Sequence, residues 1–387
     1  MTNVLLITPF FLPNIGGAET YAFELVEYLR THSCLVNVLT YQPITTPKVR
    51  GEKIEVRDNL VIHRFKWVGF NLFGKLEKYP FIVFLYLTPY LFIRSFWWML
   101  FNSKKVDVID GQGFNSACIA AVLKKIFKKK AVVSVMSLYD FKSGSILARL
   151  VGVVASQMDH IIVESDKSKE EIISIGISSD KITPYIEWLN LGVFKPYNKI
   201  EMKNKLGLPA QFTVLFVGRA IAIKGIDLIL ESAKKLQNAA INFLFISNAG
   251  PLVNELADAA SRLPNVMFIP GVPYDKLPEY ESAADVVVVP SRYSENSAIT
   301  VLTAISCGTP VIASRVGAIP NLITEEVGVL VEPNAESFSS AILDLFGDKV
   351  RYGRMQNNCE DYARRHFSVD NAVTIYNVYL RVLGEGF

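Results

Sequence analysis

A chain of 387 residues is too long for one ordinary hydrophobic core and long enough for two. Half of its residues are hydrophobic and 20% are charged, which is apolar for a soluble protein without reading as a membrane span. The formal charge of +3 divides unevenly: residues 1–190 carry 22 Lys+Arg against 17 Asp+Glu, and the remainder 18 against 20. An anionic partner is therefore expected for the first half only. The excess of +5 is small and has no basic-aromatic module beside it, so an anionic membrane surface is expected and nucleic acid is not.

The first apolar run, Val4–Thr8, lacks a preceding basic region and breaks at once into the loop PFFLPNIGGAE. It reads as a buried strand rather than a secretory leader. A helix follows, with Ala22, Leu25, Val26 and Leu29 on one face. Gly16 and Gly17 lie between the two. Glycines there let a ligand approach the backbone while the helix-start amides attract phosphate, or they form an ordinary tight turn. From the pair alone both readings stand.

Further strands are expected at Leu35–Thr40, Val61–Phe65, Val106–Asp110, Ala131–Val135 and His160–Glu164. Short apolar runs alternating with helical patterns indicate parallel sheets covered by helices, an α/β architecture. GQGFNS after Val106–Asp110 lacks the third glycine of a dinucleotide fingerprint and supports no dehydrogenase. Between these strands, Pro80–Phe101 reads PFIVFLYLTPYLFIRSFWWMLF. Its uninterrupted apolar run, Phe81–Ile93, is 13 residues, short of the roughly 20 that a span requires. Part of it is expected to be buried between the sheet and the domain surface. Phe96, Trp97 and Trp98 cannot all face one core, so some should point outward. With Lys75, Lys78, Lys104, Lys105 and the cluster Lys124, Lys125, Lys128, Lys129 and Lys130, they suit the surface of a membrane.

The rhythm breaks at Pro184–Pro196, which places a domain boundary near residue 190. A second series begins with strand Thr213–Val217 and continues through Asn242–Ser247, Val266–Ile269, Asp285–Pro290 and Pro310–Ala313. The first of these runs into Gly218-Arg219, then Lys224-Gly225, then a helix carrying Ile226, Ile229, Leu230, Ala233 and Leu236. Two cations on such a turn either clamp a diphosphate or are solvated surface charges. Their place at the carboxyl end of a first strand favours the clamp. Glu295 opens a helix from about Ser297 to Ser306, where a carboxylate either caps the helix or meets sugar hydroxyls.

Cys34, Cys118, Cys307 and Cys359 are scattered, and the four histidines form no HExxH. No metal site and a reducing compartment are expected.

The segments PFFLPNIGGAETYAFELVEYLR, VLFVGRAIAIKGIDLILESAKKL, NAGP, VMFIPGVPYDKLPEYESAADVVVVPSRYSEN, AISCGTPVIASRVGAIPNLI and VGVLVEP occur in this order. So arranged, the chain resembles the family-4 glycosyltransferases of the GT-B fold over nearly its whole length. The resemblance implies two Rossmann-like domains facing across a cleft: residues 1–190 on the acceptor side, residues 191–366 binding a nucleotide sugar, and a helix from 367 to 387 crossing back. It implies transfer with retention of configuration and without an essential metal or cofactor. Gly16 and Gly17 would lie by the donor phosphates and the transferred sugar, and Arg219 and Lys224 would neutralise the departing diphosphate beside Gly218. Glu295 matches the first acid of an E-x7-E motif, flanked by Ser294 and Asn296, and would touch the donor sugar. Gly271 and Val272 fall where the family holds the base, and Gly317 near the donor sugar.

Three departures stand against this pattern, the first being Asn296-Ser297-Ala298 in place of a GFG-like element after Glu295. The second acid of the motif is Thr303, where one neutral hydrogen bond would replace two charged ones at the ribose, at a cost of about 1–3 kcal/mol. A family histidine is replaced by Met136 or Ser137. The expected activity is sugar transfer from a nucleotide sugar to a glycan or lipid-linked acceptor, in the cytoplasm and peripheral to a membrane. The alternative is a catalytically silent GT-B scaffold serving as a partner subunit.

Overall fold

The computed structural model describes the chain except residues 15, 47–48, 69–71, 73–75, 77–78, 137–140, 142–143, 248–249, 294–297 and 386–387, and the side chain of Pro80. Contacts divide it into two compact units, residues 1–187 with 370–387, and residues 188–369.

Unit 1 alternates strands and helices in the order β1 (Thr2–Ile7), α1 (Gly17–Thr31), β2 (Cys34–Tyr41), β3 (Ile54–Arg57), β4 (Leu60–Phe65), α2 (Pro80–Asn102), β5 (Val108–Gln112), α3 (Gly113–Phe127), β6 (Lys130–Val135), α4 (Ile146–Ser156), β7 (His160–Val163), α5 (Asp166–Ser174) and β8 (Ile182–Pro184). The sheet runs β3-β4-β2-β1-β5-β6-β7-β8 among the described residues. Every pairing is parallel except β3 with β4. Central runs such as VLLI in β1 and AVVSV in β6 are buried on both faces, as helix-covered parallel strands must be. β3 escapes the apolar pattern because it is an edge strand: Ile54 and Val56 are exposed, and Glu55 and Arg57 pair with each other. β8 is three residues ending on a proline, which suits only a sheet edge.

Unit 2 follows as α6 (Lys199–Lys205), β9 (Phe212–Val217), α7 (Ile226–Lys235), β10 (Ile241–Ile246), α8 (Val253–Arg262), β11 (Val266–Ile269), α9 (Leu277–Ala283), β12 (Val286–Val289), α10 (Ile299–Ser306), β13 (Val311–Ser314), β14 (Gly328–Val331), α11 (Ala335–Gly347) and α12 (Lys349–His366). Its described sheet is wholly parallel, in the order β11-β10-β9-β12-β13-β14. Strand order therefore reverses between β9 and β12, and likewise between β1 and β5 in unit 1. At such reversals the loops leaving neighbouring strands diverge and open a crevice at the carboxyl edge.

The last helix, α13 (Val373–Leu383), belongs to unit 1 and begins after a 3-10 turn at Val369–Ala372, where the resemblance implies one helix from 367 to 387. Its Tyr379 hydroxyl donates to Oδ2 of Asp110 in β5 at 2.5 Å. Asp110 is fully buried and also accepts from Gln112 Nε2 at 2.7 Å and Ser134 Oγ at 3.4 Å. Burial still prevails over these donors and pushes its carboxyl up to about 6.

This contact ties the end of the chain to the centre of the first sheet. Tyr379→Phe should therefore lower stability by about 1–3 kcal/mol, because it removes a donor from a buried carboxylate. A urea denaturation curve with an unchanged midpoint would show that the contact contributes nothing.

Candidate functional site

The carboxyl edge of the unit 2 sheet gathers three loops. Beyond β9, the amide of Gly218 still donates to the Ile246 carbonyl at 3.1 Å, so the chain leaves the sheet only at Arg219. Arg219 is exposed and Ala220 fully buried, which anchors the loop between them. A 3-10 turn, Ala222–Lys224, then leads into Gly225 and α7, with Lys224 half-buried.

Gly225 is required twice over. Its φ is +66°, and a Cβ added there would lie 1.8 Å from the carbonyl oxygen of Pro290. The loop after β12 is thus pressed directly onto the helix start after β9. Arg292 reinforces the contact by donating its amide to the Ile223 carbonyl at 2.9 Å and pairing its guanidinium with Asp227 in the first turn of α7. From the third loop, after β10, Leu252 donates to Ala220 O at 3.0 Å, and Gly250 approaches that same carbonyl so closely that a Cβ would lie 2.2 Å away. Gly218, Arg219 and Lys224 therefore share one braced loop at the β9/β12 reversal, with the start of α7 behind it.

Gly271 and Val272 leave β11, at the outer edge of this sheet, with Gly271 at φ +89° and its amide turned back onto Ile269 O at 2.8 Å. Gly317 leaves β13 with φ +59°. Ser294, Glu295 and Asn296 lie outside the described residues, as do Asn248 and Ala249 of the NAGP segment and Ser137.

The expectation for Thr303 changes. Its side chain is 3% exposed, and its hydroxyl donates to Oε1 of Glu281 at 2.6 Å. The hydrogen bond that the sequence assigns to a ribose is thus made inside the protein, between α10 and α9. Glu281 is fully buried, and its carbonyl accepts from the Thr309 hydroxyl at 2.7 Å. Burial pushes its carboxyl up to about 8. Glu281 opens the run ESAAD, and nothing in its spacing marks it as buried.

In unit 1, Gly16 ends the loop after β1 in extended backbone and Gly17 begins α1. The helix start is not bare. Glu19 folds back over Gly16, where a Cβ would lie 2.2 Å from Oε2, and its Oε1 accepts from Asn14 Nδ2 at 2.9 Å. Asn14 in turn accepts from the amides of Thr45 and Thr46, at 3.2 and 3.1 Å, which joins the loop after β1 to the one after β2. Burial raises the Glu19 carboxyl, so a phosphate approaching these amides meets an acid already placed there.

Comparison with known proteins bears on both units. The family model described as "Glycosyl transferases group 1" matches residues 198–366, and "Glycosyltransferase Family 4" matches residues 15–184. The chain is 24% identical over 380 residues to a subunit of the phosphatidylinositol N-acetylglucosaminyltransferase of Arabidopsis thaliana, covering 94% of this chain and 80% of that one. It is 34% identical over 250 residues to the D-inositol 3-phosphate glycosyltransferase of Mycobacterium tuberculosis, covering 60% of this chain and half the length of that relative. Among solved structures, sucrose-phosphate synthase from Thermosynechococcus elongatus matches with a TM-score of 0.80 at 22% identity, covering 99% of this chain and 100% of that one. Anabaena HepE in complex with UDP-glucose matches at 0.74 and 18% identity, covering 99% and 100%. At these identities the structural likeness is one of fold.

Two outcomes follow from the site. Gly225→Ala should displace the β9 and β12 loops and abolish any nucleotide-induced rise in melting temperature; an unchanged rise would show that the close approach is dispensable. Glu281 adds a pH dependence. Because the folded chain holds this proton longer than the unfolded one, its contribution to stability is complete below pH 4.5 and is lost as pH rises towards 8, by up to about 1.4 kcal/mol per unit. Glu281→Gln keeps an acceptor for Thr303 and should flatten the fall in unfolding free energy between pH 5 and 8, whereas parallel profiles for the two proteins would contradict the assignment.

Proposed function

The chain belongs to the GT-B glycosyltransferases of group 1 and family 4, which draw on nucleotide sugars, and from that premise we propose that it transfers a hexosyl group with retention to a glycan or lipid-linked acceptor at a membrane surface, without a metal. The observation that carries this reading is the braced loop Gly218–Gly225, which presents Arg219 and Lys224 at the start of α7. A leaving nucleoside diphosphate gains negative charge as its bond to the sugar breaks. A guanidinium, an ammonium and helix-start amides held in advance stabilise that charge more than they stabilise the intact donor, which is what lowers the barrier. The two side chains supply the positive charge that a divalent cation supplies elsewhere.

In this reading Glu295, Ser294 and Asn296 meet the donor sugar, Gly271 and Val272 border the base, and Gly16 and Gly17 serve the transferred group. Thr303 acts from behind, by holding Glu281. The rival reading, a silent scaffold acting as a partner subunit, draws on that same contact, because a buried Thr303 leaves the ribose without its second acid.

For the membrane setting, α2 is one continuous helix of 23 residues, longer than its 13-residue uninterrupted run suggests. By length and composition alone it could cross a bilayer. Its stripe Leu87, Leu91, Ser95 and Met99 is buried against unit 1, Tyr41 donates to Leu87 O at 2.7 Å, and Trp98 Nε1 reaches His63 at 3.2 Å. Phe81, Trp97 and Phe101 are 73%, 56% and 80% exposed on its other side. A helix half-seated on its own domain, with aromatics outward and Lys104 and Lys105 at its end, suits docking on a membrane rather than spanning it.

Lys224→Ala should lower kcat/KM by about 10²–10³ with UDP-, GDP- or ADP-sugar donors while leaving the melting temperature nearly unchanged. Unaltered transfer would remove this mechanism. No transfer and no thermal shift with any nucleotide sugar would favour the silent scaffold. Trp97→Ser with Phe101→Ser should move the protein from pellet to supernatant in liposome sedimentation, and equal recovery of both proteins in the supernatant would leave a soluble acceptor.

A further inference from the structure

A second opening lies on the carboxyl edge of the unit 1 sheet. The chain leaving β2 and β4, which pair in parallel from Val36 with Leu60 to Tyr41 with Phe65, walls a cleft of about 540 Å³. Gln42, Arg50, Gly51, Lys53, Lys66 and Trp67 are among its lining residues. Gln42 shapes one wall by gripping Gly51 at both ends of its amide, Nε2 donating to the carbonyl at 3.0 Å and Oε1 accepting from the backbone amide at 3.1 Å. This closes the excursion after β2 upon itself and brings Arg50 and Lys53 to the rim.

Trp67, also in the lining, is held by aromatic stacking. Trp67 lies on Tyr90 of α2 at 4.5 Å and 12°, and the Val68 carbonyl accepts from the Tyr86 hydroxyl at 2.6 Å. Lys66, the neighbour of Trp67, lines the same cleft as Arg50 and Lys53.

Charge pairing separates this cluster from its surroundings. Arg57 and Arg64, close by, are both paired with Glu55. Arg50, Lys53 and Lys66 are exposed and make no ion pair among the described residues, and Glu52 beside them does not line the cleft. Three like charges around one concavity concentrate positive potential and draw in a multivalent anion. The volume suits a small organic molecule rather than a single ion, and Trp67 gives it one apolar wall.

We propose that this cleft binds a phosphate ester and that the ester is the anionic group of the acceptor. The second part rests on the transferase reading above; the first does not. Phosphate matches the site because its oxygens accept several charge-assisted hydrogen bonds at once, from a guanidinium fork and from two ammonium groups. The ester is either soluble or borne on a lipid. α2 gives the lipid form a path, since the helix whose Tyr86 and Tyr90 pack against Trp67 also exposes Phe81, Ile82 and Leu85.

The test uses the full chain with glycerol 3-phosphate as soluble probe, glycerol as its uncharged control, and phosphatidylcholine vesicles with and without phosphatidic acid. Arg50→Gln/Lys53→Gln/Lys66→Gln should weaken the glycerol 3-phosphate midpoint, read as a thermal shift, at least tenfold. Arg149→Gln/Lys169→Gln/Lys181→Gln, with the same change of charge elsewhere on unit 1, should leave it unaltered. Arg50→Lys/Lys53→Arg/Lys66→Arg should restore most of the binding. Loss of the vesicle interaction in the cleft variant would assign the ester to a lipid, and loss of the soluble response alone would assign it to a soluble acceptor; both support the site. Equal weakening in the two glutamine variants, or a response lost only in Lys224→Ala, would overturn it. The thermal shift with nucleotide sugars should persist in the cleft variant, and its absence from the unaltered protein would sink the donor reading while leaving the cleft result standing.

Discussion

The carbonyl oxygen of Pro290 stands where any side chain at residue 225 would begin, and the architecture of unit 2 at its carboxyl edge depends on that approach. With glycine there, the loop after β12 lies against the start of α7, and Arg292 can reach both Ile223 O and Asp227. The loop after β10 closes the other side through Ala220. The geometry of Arg219 and Lys224 is thus a consequence of backbone packing among three loops. In the proposed mechanism a flexible loop would have to order its cations at the moment of reaction, and that entropy would be subtracted from the stabilisation they would give.

Three interior carboxylates show how differently burial can be resolved. Asp285, at the start of β12, accepts from Lys203 at 2.7 Å, Lys199 at 3.0 Å and the Thr213 amide at 2.8 Å. These partners outweigh its burial and hold it below its ordinary value, so it remains a charge that ties α6 and β9 to β12. Asp110 has only neutral donors, and burial prevails. Glu281, against the Thr303 hydroxyl, is shifted further still. The ordering follows from partner charge. Cations compensate the removal of water, whereas hydroxyls and amides do so only in part.

Unit 1 concentrates features of another kind. Its helix α2 is buried along one stripe and apolar on the other side, while α4 exposes Ile146, Leu150 and Val153 as well. Two lysines and an arginine without ion pairs among the described residues surround a cleft on the same unit, next to Trp67 and the tyrosines that seat α2. Apolar surface outside the core carries a cost to a chain alone in water, and like charges around one cleft repel one another; an amphipathic anionic ligand would relieve both.

Alternation of apolar runs with helical patterns determined the α/β class, and the central strands β1, β6 and β9 are legible within a residue or two because burial on both faces leaves unbroken hydrophobic runs. That Gly218, Arg219, Lys224 and Gly225 share one strand-to-helix loop was also legible, since chain order alone places them there. The edge strands β3 and β8 were not, because an edge is defined by the neighbour that is missing, which local sequence does not contain. Nor could the sequence assign Thr303: its partner Glu281 is 22 residues away, and only the packing of α9 against α10 brings the two together. The same holds for the cationic cleft, whose Arg50, Lys53 and Lys66 look like ordinary surface charges in the chain. They become one site only because β2 and β4 are parallel neighbours and release their loops at the same edge.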